Sequence, residues 1–287
     1  MKTSRVSPMR QGLPVALALT LATILTACSG GAAPDPTSTS TASATSTDDA
    51  SLSAVEQAGV LVIGTEGTYR PFSYHVDGSG DLTGYDVEVA RAVADQLGLE
   101  AQFQETQWDA IFAGLDAGRF DMIANQVSIT PEREAAYTFS DPYTYSVGVI
   151  VVPSSDSSIT SFADLSGKKT AQSLTSNWRT LAQDSGALIE PVEGWAQAVA
   201  LVKQGRVAAT VNDELTFLDY QKVTGDTGVK VAATTEDVSR TAFAFRSGNV
   251  ALAAAVDTAL AALTEDGTLA KISEEYFGED VSQRVAR

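Results

Sequence analysis

The chain has 287 residues, 44% hydrophobic and 19% charged, which is room for two modest lobes with cores of their own. Its 36 Asp and Glu against 19 Lys and Arg leave a net charge of −17 at pH 7, which excludes nucleic acid and anionic lipid surfaces as electrostatic partners. The one cysteine is Cys28, which excludes an internal disulfide and a multi-cysteine metal site.

Lys2, Arg5 and Arg10 form a basic start, and Leu13 to Thr26 is an apolar stretch too short to span a bilayer comfortably. Residues 1–27 therefore read as a signal peptide and not as part of the fold. The stretch ends in Leu25-Thr26-Ala27-Cys28, which resembles a bacterial lipobox. That resemblance implies cleavage before Cys28, a diacylglycerol on its sulfur, and anchorage at the extracellular face of the cell membrane or in the periplasm. The alternative is a plain secretory signal with an incidental cysteine. From Thr37 to Thr47, nine of eleven residues are Ser or Thr. Such a composition cannot bury a core, so residues 28–53 read as a disordered tether with a reach of roughly 25 Å.

Val60 to Thr65 is an apolar, β-branched run and reads as a buried strand. Tyr85 to Leu97 carries Val89, Val93 and Leu97 at helical spacing and stops at Gly98. In Trp108 to Ala117, Trp108 with Phe112 and Ile111 with Leu115 sit four apart, so this is a second helix, ended by Gly118. Phe120 to Gln126 reads as a largely buried strand. Thr130 can cap the next helix, with Pro131 at its first position, where a missing N–H does no harm. Further strands are expected near Val147 to Val152 and at Lys168 to Gln172, Pro191 to Glu193, Val207 to Val211, Val229 to Ala233 and Ala242 to Arg246. Helices are expected at Asn177 to Asp184, Trp195 to Lys203, Glu214 to Lys222, Val250 to Leu263 and Thr268 to Tyr276. This repeated order predicts an α/β fold of mostly parallel sheets flanked by helices. Two such sheets joined by two crossings make a two-lobed clamp, with the carboxyl ends of the strands facing a cleft.

Arg133 falls in the first turn of the helix that Thr130 caps, facing the positive end of the helix dipole. A negative group should offset it. One candidate is a surface carboxylate such as Glu132 or Glu134; the other is a bound anion held by the guanidinium fork and free helix N–H groups.

Six runs, taken in order over about residues 55–282, resemble a known family. They are GTEGTYRPFSY (Gly64 to Tyr74), LTGYDVEVARAVADQLG (Leu82 to Gly98) and WDAIFAGLDAGRFDMIANQVSITPER (Trp108 to Arg133) continued to YTFSDPYTYS (Tyr137 to Ser146). DLSGKKTAQ (Asp164 to Gln172), GRVAATVND (Gly205 to Asp213) and EDGTLAKISEEYFG (Glu265 to Gly278) complete the set. The family is the extracellular solute-binding proteins of polar amino-acid ABC transporters. The resemblance implies a monomeric, two-lobed periplasmic-binding-protein-like clamp without a cofactor, which holds a free amino acid and delivers it to a membrane permease. It places lobe 1 at 54–146 plus 239–287 and lobe 2 at 147–238.

A free amino acid requires a guanidinium and N–H donors for its carboxylate, a carboxylate for its ammonium, and a selective pocket for its side chain. In the family the arginine of the same S-I-T-P-E-R context takes the ligand carboxylate, which implies Arg133, with Ser128 adding a donor. The helix start Thr175-Ser176-Asn177 offers free N–H groups, or is only a helix cap; the family usually shows glycine where Leu174 stands. An aspartate at the place of Asp213 binds the ligand ammonium in the family; the alternative is a solvated cap for the helix from Glu214. Glu66 is the second acidic candidate. Tyr69, Phe72 and Trp108 are candidate aromatic walls, with core packing as the alternative, strongest for Phe72 after Pro71. Trp178 and Trp195 read as packing residues.

Many members carry S-G-M-S ahead of I-T-P-E-R, whereas this chain has Asn125-Gln126-Val127-Ser128. With TQWDAIFAGLDA and TAQSLTSN, this resembles the cystine-binding branch. The larger polar side chains at 125 and 126 suit a second polar end, which L-cystine has. Another polar amino acid, such as glutamine, glutamate or histidine, is the alternative. The clamp also resembles certain dehydratases of cyclic acids, but an enzyme needs a positioned acid–base pair. The one histidine, His75, stands in an expected surface turn, and Glu66 has no partner visible in the sequence. Gly64-Thr65-Glu66-Gly67 has too few glycines for a nucleotide loop, and no metal cluster or serine triad stands out in the sequence.

Overall fold

The computed structural model describes residues 49–284. The signal peptide, Cys28 and the tether up to residue 48 lie outside the described residues. In chain order the elements are α1 (Ser51–Ala58), β1 (Val60–Thr65), β2 (Thr68–Tyr69), β3 (Ser73–His75), β4 (Leu82–Thr83), α2 (Tyr85–Gln96) and β5 (Glu100–Glu105). Next come α3 (Trp108–Asp116), β6 (Met122–Ser128), α4 (Pro131–Ala136), β7 (Tyr137–Phe139), β8 (Thr144–Pro153), β9 (Lys169–Gln172) and α5 (Asn177–Asp184). The chain ends through β10 (Leu188–Pro191), α6 (Trp195–Lys203), β11 (Ala209–Asp213), α7 (Glu214–Thr224), β12 (Val229–Arg246), α8 (Val250–Glu265) and α9 (Thr268–Phe277).

The helices begin and end where the side chains dictate. Thr130 Oγ1 accepts the Arg133 N–H at the start of α4, with Pro131 in the first turn. Ser176 and Asp213 cap α5 and α7 in the same way. α2 turns Tyr85, Val89, Ala90 and Val93 inward, all fully buried. Burying each large apolar side chain there contributes on the order of 1.5–3 kcal/mol. α1 starts at Ser51, so the last three residues of the segment expected as tether, 51–53, are helical, and Asp49 Oδ1 accepts the Ser51 N–H.

The main sheet differs from the two separate sheets expected. Nine strands hydrogen-bond into one mixed sheet, in the order β10-β9-β11-β8-β12-β6-β1-β5, with β7 also on β12. The pairs β1–β5, β1–β6, β9–β10 and β9–β11 are parallel. β8 and β12 run antiparallel from Val229↔Pro153 to Thr241↔Thr144, with register shifts between Val231 and Ala233 and between Thr234 and Val238. β12 thus joins the two short strands expected at 229–233 and 242–246. Residues 146/147 and 238/239, where the crossings were expected, lie within β8 and β12.

The apolar residues separate along this ribbon. Two clusters, one around Tyr85, Tyr143 and Phe245 and one around Ile111, Leu115 and Phe120, draw on residues before 146 and after 239, Leu215 excepted. Two others, around Val151 and Val202 and around Val152 and Leu165, draw on residues 149–233. The fold is a mixed α/β clamp whose two core regions meet at β8 and β12. A three-stranded sheet, β2-β3-β4, sits apart from the main one.

Candidate functional site

A cavity of about 610 Å³ is walled by both core regions. Glu66, Tyr69, Trp108, Asn125 and Gln126 line it from the β1 and β6 side. Gln172, Ser176, Trp178, Glu193, Trp195 and Asn212 line it from the β9 and β11 side. The volume lies within the range of small-molecule sites, roughly 300–1,000 Å³.

Glu66 follows the end of β1 and is held by Asn125 of β6. Asn125 Nδ2 donates to Glu66 Oε2 at 2.7 Å, and Asn125 Oδ1 accepts the Glu66 N–H at 2.9 Å. Burial pushes the Glu66 carboxyl up to about 7, because the charged form loses its hydration. Gln126 adopts φ 50°, and its N–H and Nε2 donate to the two carboxylate oxygens of Asp86 at 2.6 and 2.7 Å. This leaves Gln126 Oε1 buried without a hydrogen-bond partner. Asp86 is fully buried and also pushed up to about 7 by desolvation. It was not anticipated, since an acid in the first turn of a helix looks like ordinary dipole chemistry.

Arg133 is 9% exposed. Its guanidinium donates to the carbonyls of Ser128 at 2.9 Å and Thr175 at 3.2 Å, and lies over the rings of Trp108 and Phe112. Among the described residues no carboxylate forms an ion pair with it. Glu132 acts on it only as a background charge, and desolvation dominates, holding the guanidinium down at about 10. A surface carboxylate therefore does not supply the offset for this buried cation. Asp213 is 4% exposed and has no cationic partner among the described residues. Its Oδ1 accepts from Ser146 Oγ at 2.7 Å and from the Leu215 N–H at 2.9 Å. Desolvation pushes its carboxyl up to about 6. Tyr69 reaches across to the β11 side: its hydroxyl donates to Asn212 Oδ1 at 2.9 Å and accepts from Thr216 at 3.1 Å.

Of the twelve ligand contacts expected, the cavity wall carries Glu66, Tyr69, Trp108, Asn125, Gln126 and Ser176. Arg133 and Asp213 stand one contact behind it: Arg133 under the Trp108 ring, Asp213 next to Asn212. Ser128 and Thr175 are off the wall too, and serve through the carbonyls that hold Arg133. Phe72 and Val127 are corrected outright. Both are fully buried, Phe72 packed against Tyr69 and Phe277, Val127 in the cluster of Ile111 and Leu115. Trp178 and Trp195, read as packing residues, do line the cavity. Gln172, Glu193 and Asn212 on the wall were missed; isolated polar residues at strand ends and helix starts carry no pattern. His75 pairs with Glu105 at 3.0 Å and with the Gly80 carbonyl, outside the cavity wall.

Hydrogen bonds also tie the two core regions directly to each other. Asp109 of α3 accepts the Leu174 N–H at 3.3 Å, and the Thr175 N–H and hydroxyl at 2.9 and 2.8 Å. Arg70 Nε donates to Asp219 at 3.0 Å. A clasp of this kind biases the molecule toward the shut arrangement. Replacing Asp109 with alanine is expected to weaken ligand binding about tenfold by calorimetry, as roughly 1–2 kcal/mol of exposed hydrogen bonding is lost from the shut state alone. Unchanged affinity means the contacts carry no bias.

The family model for bacterial extracellular solute-binding proteins, family 3, matches residues 61–279. The L-cystine-binding protein TcyA of Bacillus subtilis is 51% identical over 230 residues, covering 80% of this chain and 85% of that protein. The L-cystine solute receptor of Neisseria gonorrhoeae, in its unliganded open conformation, is 47% identical with a TM-score of 0.56, covering 82% of this chain and 99% of that one. An ancestral arginine-binding protein bound to arginine is 35% identical with a TM-score of 0.72, covering 77% and 99%. The lower identity goes with the better superposition. The chain belongs to the bacterial extracellular solute-binding proteins, family 3.

Proposed function

We propose that this protein is the extracytoplasmic binding component of an amino-acid ABC importer and that its ligand is L-cystine. The observation that carries the reading is a pair of buried, opposite charges just behind the cavity wall, neither in an ion pair among the described residues: Arg133 on one side and Asp213 on the other. A lone buried charge is costly, and an incoming group of opposite sign offsets that cost. The α-carboxylate and α-ammonium of a free amino acid are such groups. Arg133 uses two of its five N–H donors on carbonyls, so it can still grip a carboxylate in a fork. Both hydrogen bonds of Asp213 fall on Oδ1, which leaves Oδ2 for the ammonium. Tyr69 and Trp108 cover the ligand stem. Lobe 1 is 54–146 with 239–287 and lobe 2 is 147–238, moving about β8 and β12. A diacylglycerol on Cys28 holds the monomeric protein at the outer face of the membrane, within reach of its permease. L-cystine is favoured over another polar amino acid by the similarity to two proteins named for cystine and by the many polar groups on the wall.

The protein binds and releases; it is not an enzyme. Burial raises the Glu66 carboxyl to about 7, into the range a general acid or base uses, but its side-chain partner is the neutral amide of Asn125, which does not transfer protons. Turnover of a candidate substrate that disappears in Glu66→Gln overturns this.

Thermal unfolding with a panel of amino acids tests the assignment. At a hundredfold excess over its dissociation constant, L-cystine is expected to add about 2.7 kcal/mol of stability. A shift with arginine or glutamine and none with cystine overturns the ligand. No shift with any amino acid overturns the class.

A further inference from the structure

The cavity wall also carries a second polar end, with no counterpart in the requirements of a single α-amino acid head. This end is built where β9 stops and α6 begins. Gln172 closes β9, is 3% exposed, lines the cavity, and its Nε2 is buried without an acceptor. Trp195 opens α6, lines the same cavity, and its indole Nε1 is likewise buried without an acceptor. α6 has no acid in its first turn and no side-chain cap, and Gly194, Trp195 and Ala196 all border the cavity. The first N–H groups of a helix have no partner within it, and they favour an anion. Two unpaired side-chain donors and an uncapped helix start therefore converge on one region. Beside them Glu193, an exposed residue on the same wall, supplies a negative charge.

We propose that Gln172, Trp195 and the first turn of α6 form a carboxylate subsite for the distal end of a double-ended amino acid, with Glu193 receiving the distal ammonium. This rests on the reading that the cavity takes a free amino acid through Arg133 and Asp213. The near head occupies those two residues, the linking chain passes between Tyr69 and Trp108 and the opposite wall, and the second head docks at α6. A cavity of about 610 Å³ has room for both heads. A buried donor left without an acceptor is costly, so the distal carboxylate gains from each of the two side chains. A single-ended ligand leaves them as they are, and that difference is the source of the selectivity.

Calorimetric titration of the purified protein with L-cystine and with S-methyl-L-cysteine tests this. S-methyl-L-cysteine keeps the near head and the first sulfur and lacks the second head. The natural protein is expected to bind cystine at least about tenfold more tightly. Gln172→Met removes one donor at nearly constant shape; Trp195→Phe removes the other together with one ring of the indole. Each is expected to weaken cystine about tenfold and to leave S-methyl-L-cysteine within about twofold. Glu193→Gln, on an exposed residue, keeps the experiment decisive if a buried variant fails to fold, and is expected to weaken cystine alone about threefold to tenfold. Equal affinity of the natural protein for the two ligands overturns the subsite, as does cystine affinity unchanged in all three variants or lost in step with that of S-methyl-L-cysteine. Failure of the natural protein to bind any amino acid overturns the underlying site as well, which separates the two failures.

Discussion

Arg133→Ala and Asp213→Asn are each expected to weaken amino-acid binding by about 2–5 kcal/mol, roughly 30-fold to several thousandfold. The two substitutions act differently on the fold, and the difference separates binding from stability. Arg133→Ala removes a buried cation that no carboxylate pairs with among the described residues. Its desolvation cost disappears with it, while the carbonyls of Ser128 and Thr175 lose their donors and Trp108 and Phe112 lose a cation over their rings. These losses and the gain offset one another, so the melting temperature of the free protein should change little. Asp213→Ala would confuse the experiment, because Asp213 caps α7 through the Leu215 N–H, and losing a cap costs about 0.5–2 kcal/mol. Asparagine is as good a cap, and its amide oxygen can still accept from Ser146 Oγ. Asp213→Asn therefore removes the charge and keeps the architecture. Calorimetry with cystine beside a thermal melt reads both quantities. Wild-type affinity in either variant removes that residue from the site.

The helices were legible because their caps and apolar spacing are local. α5 and α6 run over the residues expected, Asn177–Asp184 and Trp195–Lys203. The ribbon of β8 and β12 was not. Of residues Thr234 to Arg240 only Val238 is apolar and the segment is partly exposed, so no apolar alternation marks it; its extended form comes from pairing with β8, a tertiary contact. β5, Glu100–Glu105, was missed for the same reason, with only Ala101 and Phe103 turned partly inward at a sheet edge. In the site, Arg133 was visible because a capped helix places a cation against its own dipole. Asn125 and Gln126 were visible as residues larger than the family pattern. Their work differs from the expectation, however: Asn125 positions Glu66, and Gln126 binds Asp86 through both N–H and amide. Such links span 40 and 59 positions of sequence, and no spacing rule reaches that far.

Acidification is expected to move the free protein and its ligand affinity in opposite directions. Burial raises Glu66 and Asp86 to about 7 and Asp213 to about 6, from ordinary values of 4.5, 3.8 and 3.8. Asp213 raises Asp86 further as a like charge and acts the same way on Tyr69. A raised carboxyl binds its proton more tightly in the folded chain than in the unfolded one. Stability of the free protein therefore rises as pH falls from about 7 toward 4, by up to about 1.4 kcal/mol per pH unit for each group inside its window. His75, raised by Glu105, adds in the same direction as pH falls through its own range. The lowered carboxyls, Asp226 at about 2 among them, lose their contribution only below about pH 4 and do not oppose the trend above it. The net charge of −17 also shrinks, which relieves self-repulsion. Ligand binding runs the other way. The ammonium needs Asp213 ionised, so affinity for cystine falls as pH drops through about 6. Scanning calorimetry at pH 5, 6 and 7.5, with and without cystine, reads both trends. The free protein should melt highest at pH 5, and the shift produced by cystine should be largest at pH 7.5. Asp213→Asn should flatten part of the first trend and abolish the second. A free protein that melts highest at pH 7.5 refutes the buried-carboxylate account, and a cystine shift as large at pH 5 removes the ammonium from Asp213.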